Sequence, residues 1–209
     1  MTVPVQRLAL HTSDGLSLRA ELASPEHPTA AALLCHPHPL HGGNMFATVI
    51  DALFADLSAH GVACLRFNFR GVDGSDGRHD YGRGEQLDVV AAIAHLAEAF
   101  PELDIWSMGW SFGADMSLGV AHPRLSGWFA VAPPLKIIAA SDMIAGRDER
   151  PTLLAVPEHD QFNPPEAATA ATEGWTNASI ETIPMADHFL AGGMGAVTKA
   201  ARRLVTGSD

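Results

Sequence analysis

The stretch "LDIWSMGWSFGADMSLGVA" runs from Leu103 to Ala121. Residues 103–110 read as a buried strand and 112–121 as a helix. Between them "GWSFG" (109–113) matches G-x-S-x-G at a strand-to-helix junction. A turn of this kind is strained, because it lifts the serine above the sheet. Gly109 and Gly113 remove side chains where backbones crowd. Ser111 then stands exposed. The Phe112 N–H opens a helix, where unpaired N–H groups and the helix dipole favour a developing oxyanion. A glycine-flanked serine can also be a plain helix N-cap. The strand–turn–helix context favours a nucleophile.

The pattern on either side extends the same theme. "VQRLAL" and "LSLRAELA" flank "HTSDG", and Asp14-Gly15 signals a hairpin. "AAALLC" (30–35) is an unbroken apolar run of strand length. Residues 47–60 carry Val49, Ile50, Leu53, Phe54 and Leu57 at helical spacing, ended by Gly61. "VACLRFNF" (62–69) reads as a strand, 70–84 as a long glycine-rich loop, and 85–100 as a helix. After the quoted stretch come strands at 125–132 and 152–156 and a helix at 165–175. "ASIETI", ending before Pro184, is the last strand, and 194–205 the last helix. Near-continuous apolar strands alternating with helices predict an α/β fold. Its sheet is mostly parallel and twisted, with helices on both faces and an antiparallel N-terminal hairpin. Chemistry in such sheets sits in loops at the carboxyl ends of the strands.

Bulk properties bound the partners. The 209 residues suit one domain, 1–209. A formal net charge of −11 argues against nucleic acid or an anionic membrane surface. No apolar run approaches the ~20 residues of a membrane-spanning helix. The opening "MTVPVQRLALHTSDG" lacks the basic-then-apolar order of a signal peptide. Cys35 and Cys64 sit in apolar segments and read as reduced core thiols. The expected location is the cytoplasm.

A serine hydroxyl needs a base at neutral pH. Where a serine elbow tops a parallel sheet, the partners follow in chain order: serine, acid, histidine. His122, His159 and His188 follow Ser111. His122 ends the helix after the elbow, and His159 lies among the acid candidates. His188 in "PMADHFLAGG" falls between the last strand and the last helix, where the base belongs. The acid should follow strand 152–156, which leaves Glu158 and Asp160 in "PEHDQFNPP". Asp160 is favoured, a few residues past the strand end. It would fix the His188 tautomer and stabilise its imidazolium. Asp187, the immediate neighbour of His188, is poorly placed for that and reads as solvated or structural.

"CHPHPLHGG" (35–43) leaves the carboxyl end of strand 30–35 beside the Ser111 turn. Three imidazoles and a thiol there raise the question of a metal. Their spacing does not wrap a tetrahedron, and Cys35 belongs to the strand end. Taken together, "LLCHPHPLHGGN", "RFNFRGVDGSDG", "GWSFGA", "EHDQF" and "ADHF" resemble the α/β-hydrolase superfamily. The likeness is greatest to its small lidless bacterial serine hydrolases with an HPHP loop, and it covers nearly the whole chain. It implies an oxyanion hole whose first donor is Phe112 N–H and whose second is the amide after His36-Pro37, at His38. Leu40 N–H is the alternative donor. Pro37 and Pro39 carry no N–H and stiffen the loop. This chain departs from the family pattern in having His-Pro for His-Gly, and Pro157 where a glycine often follows the penultimate strand.

The implied activity is hydrolysis of an ester, thioester or similar acyl bond through an acyl-enzyme on Ser111. No cofactor and no metal are expected, and the partner is a small acyl substrate. Peptidase or acyltransferase activity is an alternative on the same fold, as is a non-catalytic binding protein. The loop 73–85 lacks calcium-ligand spacing and is expected to be a mobile segment lining the cleft. Arg70 reads as a salt-bridging structural residue. The short stretch from Lys136 to Arg150 leaves no room for a lid, so an open cleft is expected.

Overall fold

The computed structural model describes residues 3–208; Met1, Thr2 and Asp209 lie outside the described part. Strands β1 (Val5–His11) and β2 (Ser17–Ala23) form the antiparallel hairpin. Then follow β3 (Ala30–Cys35), α1 (Thr48–Ala59), β4 (Val62–Phe67) and α2 (Arg83–Ala99). β5 (Ile105–Trp110) leads into α3 (Phe112–Leu118), and β6 (Leu125–Val131) into β7 (Thr152–Pro157). α4 (Pro165–Ala171), β8 (Ala178–Ile183) and α5 (Met194–Thr206) complete the order. The strands form one sheet in the order β1-β2-β4-β3-β5-β6-β7-β8. β2 runs antiparallel to β4, and every pair from β4 to β8 is parallel.

The two-residue period of the strands divides the core. Ala31, Leu33 and Cys35 of β3 pack with Val89, Ile93 and Leu96 of α2 and with Met116 of α3. Ala30, Ala32 and Leu34 face the other way, onto Val49, Ile50, Leu53 and Leu57 of α1 and Val197 and Ala201 of α5. Each fully buried leucine or isoleucine contributes ~2 kcal/mol by removal from water. Cys35 and Cys64 fall in different layers, both as buried free thiols. Burial pushes both thiols up from their ordinary range. Among the described residues no helix is long and apolar enough to cross a membrane.

β4 and α3 end earlier than their composition suggests, as does α4, read over 165–175 but closing at Ala171. β4 stops at Phe67: Asn68 keeps one last backbone bond to β2, while its side chain and the Phe69 N–H turn to other partners. Asn68 N–H donates to the Arg19 carbonyl and its Oδ1 accepts from Met45 N–H, at 2.9 and 2.8 Å. Phe69 N–H donates to His36 Nε2 at 3.0 Å. Helix α3 closes at Leu118, with the Gly119 N–H returning to the Asp115 carbonyl. Between β6 and β7 the chain makes only two short 3-10 turns, Ala140–Asp142 and Ile144–Arg147. No sizeable lid is inserted there.

Candidate active site

Ser111 stands between β5 and α3 with φ 55° and ψ −120°, a region that strains an L-residue. Its N–H extends the β5–β6 ladder, donating to the Val131 carbonyl at 2.9 Å. The flanking glycines make this turn possible. A Cβ on Gly109 would lie 2.2 Å from the Gly113 carbonyl oxygen, and one on Gly113 would lie 2.2 Å from that of Cys35. The elbow and the exit of β3 therefore interlock at a distance only glycine permits.

His188, in the loop after β8, brings Nε2 to 2.9 Å from Ser111 Oγ. Its Nδ1 lies 2.8 Å from Asp160 Oδ2. With Nδ1–H directed at the carboxylate, Nε2 is left as the acceptor for the serine hydroxyl. Asp160 and His188 are both buried. The other Asp160 oxygen accepts from Phe162 and Asn163 N–H at 2.8 and 3.1 Å, which fixes the carboxylate plane. The loop carrying His188 is held by Trp110 Nε1–H, which donates to the His188 carbonyl at 3.2 Å. The rival acids are occupied elsewhere. Glu158 accepts from Met185 N–H at 2.7 Å, and Asp187 Oδ1 closes its own turn by accepting from Phe189 N–H at 3.0 Å. His159 and His122 lie away from the serine; His122 Nδ1 accepts from Arg124 N–H.

The histidine stretch divides its labour. His36 is fully buried, with Nδ1 2.6 Å from the Pro37 carbonyl and Nε2 accepting from Phe69 N–H. It is therefore a neutral strut between the ends of β3 and β4. Burial lowers its pKa to about 4, opposed in part by the bond to Pro37. The His38 imidazole accepts from Leu40 N–H at 3.2 Å, so the amide of Leu40 is engaged. Among the described residues neither His38 N–H nor Phe112 N–H has an acceptor. No group of three or more His, Cys, Asp or Glu side chains among those residues is placed to hold a metal ion.

Ser111, His188, His38 and Phe112 open into one pocket of about 580 Å³. Trp110, Pro134, Ile137, Phe162 and Phe189 supply apolar walls. The segment 73–85, expected to line this cleft, does not. No residue of it lines the pocket. Arg70 pairs with Asp88 at 2.7 Å and Asp14 at 2.9 Å, as its structural reading anticipates. Asp76 accepts from Ser17 N–H and Ser75 donates to the Asn68 carbonyl, which pins the loop to β2 and β4. From behind the pocket, His79 packs its ring on those of His38 and Phe112 at 5.0 and 5.5 Å. His79 Nδ1 lies 2.7 Å from the buried Glu85 carboxylate.

Asp115, which the motif reading passes over, is a further organising residue. It is buried in α3 and accepts from the backbone N–H groups of Leu135, Lys136 and Ile137 at 2.9, 3.1 and 3.0 Å. It thereby ties one pocket wall to the helix that begins at the serine. Desolvation raises its pKa to about 6, against the pull of those three N–H groups.

The fold has counterparts among known proteins. The chain is 28% identical to an α/β serine hydrolase homologue from Coxiella burnetii, with a TM-score of 0.86 over 99% of both chains. It is 27% identical to an α/β serine hydrolase without a lid from Xanthomonas campestris, with a TM-score of 0.83 over 100% of this chain and 99% of that one. An uncharacterized protein of Rickettsia prowazekii is 39% identical over 126 residues, 59% of this chain and 52% of that protein. The chain spans about half the length of the curated relatives it matches. No family model matches it. The fold is the α/β-hydrolase fold, and the two solved neighbours are α/β serine hydrolase homologues, the Xanthomonas one without a lid.

Proposed function

We propose that the protein hydrolyses carboxylic esters or thioesters through an acyl-enzyme on Ser111. The observation that carries this reading is the continuous hydrogen-bond chain from Ser111 Oγ through His188 to Asp160, at 2.9 and 2.8 Å, opening into an apolar pocket. His188 Nε2 takes the hydroxyl proton as Oγ attacks the acyl carbon. The tetrahedral oxyanion accepts hydrogen bonds from His38 and Phe112 N–H, both without a protein acceptor in the resting site. Collapse expels the alcohol or thiol, which leaves with the proton from His188. Water then gives a proton to the same nitrogen and attacks the acyl carbon; the C–Oγ bond breaks as His188 returns that proton to Oγ, releasing the acid and restoring Ser111. Asp160 holds the imidazole in its tautomer and stabilises the imidazolium without taking its proton. The substrate is a small acyl compound. The site of action is the cytoplasm, where unpaired thiols such as Cys35 and Cys64 stay reduced.

A fluorophosphonate probe tests this directly. It should form a covalent adduct on the peptide containing Ser111, detected by mass spectrometry, and p-nitrophenyl esters of short acyl chains should be turned over. Absence of both adduct and turnover would instead identify a binding protein on a hydrolase fold.

The histidine loop should act through its backbone. His38→Pro removes the amide and should cost ~3 kcal/mol of transition-state stabilisation, roughly a hundredfold in kcat. His38→Ala keeps that amide but frees Leu40 N–H, and should lose no more than about tenfold, the worth of one ordinary hydrogen bond. Equal losses in steady-state kcat would assign the function to the imidazole instead.

A further inference from the structure

One residue of the pocket has no part in the acyl-enzyme chemistry. Among the described residues Lys136 is the only one with a fixed charge that lines it. It is also one of two lysines in a chain of net charge −11, so its position is not a by-product of abundance. Its backbone is anchored, because Lys136 N–H is the middle of the three amides bound by Asp115. The lysine is therefore referenced to the helix that starts at the nucleophile.

Its ammonium is poorly engaged. Nζ donates to the Phe162 carbonyl at 3.5 Å and stands 5.8 Å from the centre of the Phe162 ring. An ammonium has three donors. Among the described residues no carboxylate lies within ion-pair distance of it; the Asp115 carboxyl, hydrogen-bonded to the backbone, feels its charge only at longer range. A surface lysine ordinarily only solvates its neighbourhood. This one stands over apolar walls formed by Ile137, Phe162 and Phe189. The rest of the molecule repels anions, and a local cation offsets that repulsion where a substrate enters.

We infer that the site takes esters carrying a carboxylate, which pairs with Lys136 while the scissile bond lies at Ser111. The inference rests on the serine-hydrolase reading above and adds the charge class of the substrate. The carboxylate belongs to either the acyl or the alcohol part, and the test separates the two.

kcat/KM is measured at low ionic strength on the full chain for two matched pairs. Mono-4-nitrophenyl glutarate is compared with its uncharged isostere 4-nitrophenyl 5-methylhexanoate. 4-Acetoxybutyrate is compared with 4-methylpentyl acetate. The quantity read is the ratio of anionic to neutral ester. In at least one pair Lys136→Met should lower that ratio about fivefold or more, the scale of one partly exposed ion pair. Lys136→Arg should keep it, Lys136→Glu should lower it further, and added salt should erode it in the wild type. All three variants retain the N–H bound by Asp115 and place their side chain at an exposed position, so circular dichroism should be unaltered. If Lys136→Met leaves both ratios unchanged while the neutral esters are turned over, the charge inference falls and the hydrolase reading stands. If the wild type hydrolyses none of the four and takes no fluorophosphonate label, the hydrolase reading falls and this inference with it.

Discussion

Ser111→Ala should reduce kcat for p-nitrophenyl acetate by a factor on the order of 10⁴ or more, with the fold intact. The Oγ atom has one described hydrogen bond, to His188 Nε2. Its loss costs stability ~1 kcal/mol at most. Alanine keeps a Cβ at the same φ of 55°, so the backbone strain is unaltered and the thermal midpoint should move little. The remaining rate would come from the amides and the pocket alone. A purified Ser111→Ala protein that keeps even a tenth of the wild-type rate would remove this residue from the mechanism.

Asp160→Asn should be nearly as damaging, again about 10⁴ in kcat, while Glu158→Gln should cost less than about threefold. An asparagine amide facing His188 Nδ1 donates where the carboxylate accepted. The imidazole then carries its proton on Nε2, and no lone pair faces the serine. Asn Oδ1 can still accept from Phe162 and Asn163 N–H, so the loop should hold. Glu158 caps Met185 N–H, and glutamine retains that acceptor. Comparing kcat and the thermal midpoint of both variants separates chemistry from packing. Equal losses, or the reverse order, would mean that the wrong carboxylate has been assigned.

The fold was legible because its signals are local and periodic. The apolar runs at 30–35 and 105–110 are buried on both faces, and Val49 to Leu57 repeat at the helical period. The elbow was legible for a related reason, since close backbone approach leaves its record in Gly109 and Gly113. The convergence of Ser111, Asp160 and His188 followed from where their loops leave a parallel sheet. What was not legible depends on single long-range bonds with no period. His36 binds an amide 33 residues away, and Asp115 binds amides 20 to 22 residues away. Neither leaves a pattern in the residues between. The 73–85 loop was misplaced because its glycine content says nothing of its direction, whereas hydrogen bonds at Ser75 and Asp76 draw it to β2 and the end of β4.

Asp115 also couples the pocket to proton uptake. Its carboxyl holds a proton up to about pH 6 in the native state, but only to about 3.8 at its ordinary value. Between those two values the native protein binds more protons than the unfolded chain. The stability this group contributes is therefore complete below that window and is lost as pH rises through about 6, the reverse of a salt-bridged carboxylate. The pocket wall has the opposite preference. The amides of Leu135, Lys136 and Ile137 are best bound by the ionised form, and a proton removes acceptor capacity they share. Mild acid should thus favour the folded chain at this residue while weakening the acceptor that holds the wall carrying Lys136, so global stability and local order of the pocket should respond oppositely in the same narrow range of pH.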